Sequence, residues 1–123
     1  MNVTSTPKAP AAIGPYSQAK TAGSFVFTSG QIAIDPAAGK IVATDIVGQT
    51  EQVCKNVGEV LKAAGSSYDK VIKTVCFLND INDFAAFNEV YAKYFTGKPA
   101  RSCVEVAALP AGALVEVEVV AEK

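Results

Sequence analysis

Few side chains in this sequence could bind or transform a small molecule, and one of them occurs once. Arg101 is the only arginine beside ten lysines, and it follows Pro99-Ala100 at the start of a segment that reads as a strand. Its planar guanidinium can receive a carboxylate through two parallel hydrogen bonds, which a lysine ammonium cannot reproduce. The competing reading is a salt bridge to Glu105 or Glu118. Glu116 and Glu118 stand two apart on one face of a valine strand. A carboxylate there that points into a cleft can polarise water or take its proton, whereas one on an edge strand is a solvated charge. Cys103 shares the parity of Arg101 and Glu105, yet with no histidine in the chain its thiol lacks the usual activating base. Ser29-Gly30 ends a strand where backbone can approach a ligand, Tyr16 follows the constrained pair Gly14-Pro15, and Asn88 lies between Phe87 and Glu89 on a helical stripe. Taken singly, turn and core-edge roles explain Ser29, Gly30 and Tyr16, and Asn88 reads equally as a surface residue or a cleft donor.

The missing histidine excludes Ser-His-Asp and Cys-His catalysis and His-ligated metal. An acid or base must be a carboxylate, a tyrosine, a lysine or water. Eleven Lys+Arg against 12 Asp+Glu give a net charge of −1 with no basic run, which argues against nucleic acid as the main partner. Cys54, Cys76 and Cys103 are odd in number and form no C-x-x-C, so the expectation is reduced thiols in a cytoplasmic setting. No apolar run approaches membrane-spanning length, and prolines interrupt the first residues where an export signal needs an apolar helix.

These side chains must be positioned by a fold that the patterning outlines. One domain over residues 1–123 is the expectation, since a chain of 123 residues buries roughly two-thirds of its surface without disulfides or metal. Ser17–Lys20 and Ser24–Ser29 flank the turn Ala22-Gly23 as a hairpin, and a short strand is expected at 32–34. From Thr44 as N-cap, Ile46, Val53, Val57, Val60, Leu61 and Ala64 recur at three- and four-residue steps until Gly65, which predicts an amphipathic helix. Residues 71–78 are apolar at both parities except Lys73 and Thr74, as in a strand covered on both faces. A second helix, capped by Asn82 or Asp83, carries Phe84, Phe87, Tyr91 and Tyr94/Phe95 on one stripe and ends at Gly97 and Pro99. Strands follow at 101–107 and 114–122. The order predicts an α+β fold, a single sheet with two helices on one face. The doubly apolar strand then needs a cover from another subunit.

Taken together, Gly14-Pro-Tyr-Ser-Gln-Ala19, Phe27-Thr-Ser-Gly-Gln-Ile32, the segment Asn82 to Tyr91 and Pro99-Ala-Arg-Ser-Cys-Val-Glu-Val106 closely resemble the RidA/YjgF family of reactive-intermediate deaminases. The resemblance spans nearly the whole chain in the family's order, and Pro-Ala-Arg-Ser at 99–102 is its most specific part. It implies a chorismate-mutase-like fold assembling as a homotrimer, with clefts between subunits and no metal or organic cofactor. The implied activity is hydrolysis of enamine/imine intermediates (2-aminoacrylate/2-iminopropanoate and 2-iminobutanoate) to 2-oxo acids and ammonia. Carried over by motif, Arg101 binds the substrate carboxylate and Glu116 positions or activates water, with Tyr16, Ser29, Gly30, Asn88 and the Cys103 backbone shaping the pocket. Some relatives are described as endoribonucleases or translation inhibitors, and a non-catalytic ligand-binding trimer is a further alternative. One departure stands out: Phe95-Thr-Gly-Lys-Pro99 is shorter than the corresponding loop in many relatives.

Overall fold

Alternating valines make residues 115–122 a strand with one side for a core and one for something else, and this last strand lies inside the sheet, not at its edge. In a computed structural model describing all residues, Met1–Lys123, the strands are β1 (Asn2–Thr4), β2 (Ala19–Ala22), β3 (Phe25–Thr28), β4 (Ile34–Asp35), β5 (Lys40–Ile41), β6 (Val71–Leu78), β7 (Ala100–Glu105) and β8 (Val115–Glu122). Six form one sheet in the order β1-β2-β3-β8-β6-β7, antiparallel except for the parallel pair β6 and β7, while β4 and β5 form a separate two-residue ribbon. The helices α1 (Ile46–Ala63) and α2 (Phe84–Tyr94) cover one face of the sheet. The fold is α+β, as the patterning predicts.

The α1 stripe is the predicted one: Val53, Val57, Val60 and Leu61 are fully buried. Burial of each such side chain contributes about 1.5–3 kcal/mol before entropy is set against it. The cap moves by one residue, because Asp45 Oδ1 accepts the Gly48 N–H at 2.8 Å where Thr44 was expected to act. Gly65 closes the helix at φ +84°, a conformation that side-chain-bearing residues avoid. Neither Asn82 nor Asp83 caps α2 by its side chain. Asp80 instead accepts the Asn82 N–H at the head of a 3-10 turn, Ile81–Asp83, that leads into the helix.

The expected strand at 32–34 is also replaced. Gln31 bridges Val117, Ile34 joins the β4–β5 ribbon, and Asn56 Nδ2 on α1 donates to the Ile32 and Ile34 carbonyls at 3.1 and 2.9 Å. A helix side chain thus takes acceptors that a neighbouring strand would have used.

Residues 71–78 form β6 over the expected span, but within one chain it is covered on one face only. Val71, Thr74, Cys76 and Leu78 are buried, while Val75 and Phe77 are half-buried on the other side and Ile72 is 41% exposed. That second face continues across the sheet through Phe27, 49% exposed, and Val104, 47% exposed. An apolar face of this kind is the mark of a surface meant to be covered. No helix is long and apolar enough to cross a membrane.

Candidate active site

Arg101 reaches its position because β7 runs parallel to β6 beneath α2. Its register partner is Thr74, a buried residue of the helix-covered face. The guanidinium lies 4.9 Å from the Tyr91 ring centroid, 5.3 Å from that of Phe84 and 6.0 Å from that of Phe87. Each contact within about 6 Å contributes about 0.5–2 kcal/mol, more as water is excluded. Arg101 Nη1 donates to Asn88 Oδ1 at 2.7 Å, and the Tyr91 hydroxyl is hydrogen-bonded to Thr74 Oγ1 at 2.7 Å. The salt-bridge reading is therefore overturned: Arg101 pairs with no carboxylate, and Glu105 accepts the Ile81 N–H at 2.9 Å. Arg101, Asn88 and Tyr91 open onto a cavity of about 370 Å³. Cys103, two residues along β7, faces the same side, half-buried. Burial pushes its thiol up, and the Arg101 charge only partly opposes this. A neutral thiol without a base is a poor nucleophile. Cys103→Ala is expected to retain activity within about threefold, as a group making packing contacts only. Steady-state turnover on a folded, fully assembled variant checks this.

Glu116 occupies the opposite face. It pairs across β6 with Phe77, and Glu118 pairs with Val75, so neither is on an edge strand. The expectation of solvated edge charges fails for this reason. Glu116 is half-buried, and burial, with the Glu118 charge adding to it, pushes its carboxyl above the usual range. Gly30 makes the approach possible: a Cβ at that residue would lie 2.1 Å from Glu116 Oε2. The two segments are locked by reciprocal backbone bonds between Gln31 and Val117 at 2.9 and 3.1 Å. Tyr16, 53% exposed, joins Gly30 and Glu116 around a cavity of about 160 Å³. The loop carrying Tyr16 is held by buried Gln18, which accepts the Thr6 N–H and donates to the Thr6 and Pro10 carbonyls. The Ser29 hydroxyl donates to the Ser17 carbonyl and so ties this loop to β3.

The structure thus divides the sequence-predicted residues into two groups. Arg101, Asn88 and Cys103 share the helix-covered face, while Glu116, Gly30 and Tyr16 gather on the other, with the sheet between them. Phe84 and Tyr91, which the stripe marked only as core, stack on the guanidinium. Their spacing four before and three after Asn88 is the signal that places all three on one helical face. Gln18 was carried by motif alone. No three His, Cys, Asp or Glu side chains converge in a cluster that could hold a metal ion.

Residues 6–123 match the family described as Endoribonuclease L-PSP. The chain is 53% identical over 120 residues to Reactive Intermediate Deaminase A, chloroplastic, of Arabidopsis thaliana, an overlap of 97% of this chain and 64% of that protein's length. It is 50% identical over 120 residues to the 2-iminobutanoate/2-iminopropanoate deaminase of Mus musculus, covering 97% of this chain and 89% of that one. The crystal structure of E. coli TdcF with bound serine superposes with a TM-score of 0.95 at 43% identity, covering 100% of this chain and 99% of that chain. Agreement of this extent defines the class, an α+β enzyme built as one sheet under two helices. The chain belongs to the RidA/YjgF family.

Proposed function

We propose that this protein hydrolyses small 2-imino acids and their enamine tautomers, 2-aminoacrylate/2-iminopropanoate and 2-iminobutanoate, to 2-oxo acids and ammonia. The observation that carries the reading is Arg101: a guanidinium with no carboxylate partner, fixed by Asn88 and two aromatic rings, with donors left over at a cavity. Such a group is prepared for an anion that the chain does not contain. TdcF holds serine, whose carboxylate is borne by the carbon that carries nitrogen. A 2-imino acid has that same arrangement.

Arg101 binds the substrate carboxylate and fixes the imine carbon. Water held by Glu116 attacks that carbon as Glu116 takes a water proton, and the carbon–nitrogen double bond becomes single. Glu116 returns that proton to the amine of the resulting carbinolamine, the remaining carbon–nitrogen bond breaks with its electron pair going to nitrogen, the hydroxyl closes to the carbonyl as its proton passes through Glu116 to the departing ammonia, and the 2-oxo acid forms. An iminium beside a carboxylate is already electrophilic, so orientation and electrostatics suffice and no covalent nucleophile is required.

The division of the site is the argument for assembly. One protomer's Arg101 and Glu116 are separated by its own sheet, so a cleft containing both takes Arg101 from one protomer and Glu116 from another. A homotrimer with a cleft at each interface provides this and covers the open apolar face. Light scattering is expected to give a mass near three times 12.8 kDa. A stable monomer at micromolar concentration would remove the cleft along with the interface. The direct test of activity couples a pyridoxal-phosphate threonine or serine dehydratase, which releases the imine, to the purified protein. Formation of 2-oxo acid must accelerate in proportion to added protein, and no acceleration would leave at most a ligand-binding trimer.

The family description also names endoribonuclease. One arginine and a net charge of −1 give that reading little electrostatic support here. A cytoplasmic, reducing setting fits the three free cysteines.

A further inference from the structure

The part of the Arg101 cleft that one protomer builds holds a second cation, which a three- or four-carbon monoacid does not require. Its volume of about 370 Å³ lies within the ~300–1,000 Å³ of ordinary small-molecule sites. The walls that this protomer supplies carry two cations, Arg101 and Lys98, and no Asp or Glu; the Glu116 carboxylate enters from another protomer. Neither cation is neutralised within the chain, because the one ion pair in the structure joins Lys93 to Glu51. A cavity with more lysines is different in kind: Lys8, Lys55 and Lys62 there are accompanied by Asp35 and Glu59.

Lys98 is held at this wall by an unfavourable backbone. It sits at φ +52°, one of only two non-glycine residues with positive φ. It directly precedes Pro99, which restricts its conformation further. Gly97, beside it, could have taken the left-handed turn at no steric cost, yet it is Lys98 that adopts it. The turn is closed by the Lys98 N–H donating to the Phe95 carbonyl at 3.2 Å. With only five residues between the end of α2 and the start of β7, Lys98 is kept three residues from Arg101, on the same cavity. Strain retained next to a binding group points to use of the strained residue.

We propose that Lys98 is a specificity-determining residue that receives a second anionic group, so that the preferred substrates are 2-imino acids with a second carboxylate on the side chain. This rests on the imine-hydrolysis reading of the same site. Arg101, with Nη1 committed to Asn88, offers its remaining donors to the carboxylate next to the imine. The lysine ammonium, a point charge on a flexible stem, meets a second carboxylate at variable spacing. The chemistry is unchanged: water adds to the imine carbon, ammonia leaves, and the product is a 2-oxo diacid.

The test compares kcat/KM for imines generated in situ by amino-acid oxidases from aspartate or glutamate with those from alanine or 2-aminobutyrate. The wild-type protein is expected to favour the diacid imines by about tenfold, the worth of one charge-assisted contact. Lys98→Gln is expected to remove most of that preference, Lys98→Arg to restore it, and raised salt to weaken it. A diacid-to-monoacid ratio that Lys98→Gln leaves unaltered overturns the proposal, as does an equal fall for both substrates. Binding of succinate against butyrate, followed by NMR, reads the same site without turnover. If neither imine is hydrolysed, the deaminase reading fails. Loss of succinate binding in Lys98→Gln then still supports the second anion site, and undiminished binding rejects it.

Discussion

Arg101→Lys is expected to fold and assemble normally and to hydrolyse 2-aminoacrylate-derived imine at a rate lowered tenfold or more. Three features set this expectation. The Asn88 carbonyl at 2.7 Å and the rings of Tyr91 and Phe84 are arranged around a flat delocalised cation. A lysine ammonium restores the charge but not the two-pronged grip, and it stacks less well because it is compact and strongly hydrated. A tenfold loss corresponds to about 1.4 kcal/mol of transition-state binding, which one of two parallel charge-assisted bonds readily accounts for. Arg101→Ala is expected to be worse. Because Arg101 makes no salt bridge, the loss of stability in the lysine variant is limited to weaker ring stacking and the bond to Asn88. A variant that remains folded and assembled at the assay temperature with activity lost identifies a clamp, whereas wild-type turnover by the lysine variant disproves it.

Glu116→Gln carries the second large effect, a fall in kcat of about 100-fold or more, because an amide can hold a water but cannot accept its proton. The pH dependence follows from the burial and the Glu118 neighbour that raise the Glu116 pKa. Only the ionised carboxylate is a base, so wild-type activity is expected to fall as pH drops through the raised pKa, an acid limb displaced upward from that of an ordinary carboxylate. The Gln variant should lack this limb. The effect on stability has the opposite sign. A carboxyl whose folded-state pKa is raised binds its proton more tightly when folded, so ionised Glu116 costs stability at neutral pH, and that cost disappears in acid. Glu116→Gln should therefore unfold no earlier than wild type at pH 7, with the difference shrinking as pH falls. A pH–rate profile with an unchanged acid limb in the variant would assign the proton transfer elsewhere.

Sequence pattern carried the elements whose signal is long and uninterrupted. The β-branched run at 71–78 fixes β6, and the three- and four-residue steps from Ile46 to Ala64 fix α1. The elements that escaped are short and held from outside. β1 has three residues and is defined by pairing Asn2, Val3 and Thr4 with Thr21, Lys20 and Ala19. The segment at 32–34 loses its carbonyls to Asn56 from another element. For the site, residue type was legible and placement was not. Parity shows that Arg101 and Cys103 share a face of β7, and that Glu116 and Glu118 share a face of β8. Only the registers, Thr74 with Arg101 and Phe77 with Glu116, show that these two faces point in opposite directions.

The place of β8 in the sheet bears on how the chain acquires its structure. The strand nearest the C-terminus is inserted between β3 and β6, pairing Phe25 with Glu122 and Leu78 with Val115. During synthesis the N-terminal strands β1 to β3 and the pair β6 and β7 emerge first, as two fragments of sheet. Each leaves an unfilled edge until the final residues arrive. Such edges are templates for pairing with the wrong chain, and contacts of this sequence separation form slowly. Glu116 lies on that final strand, so the carboxylate becomes fixed only when the two fragments are joined.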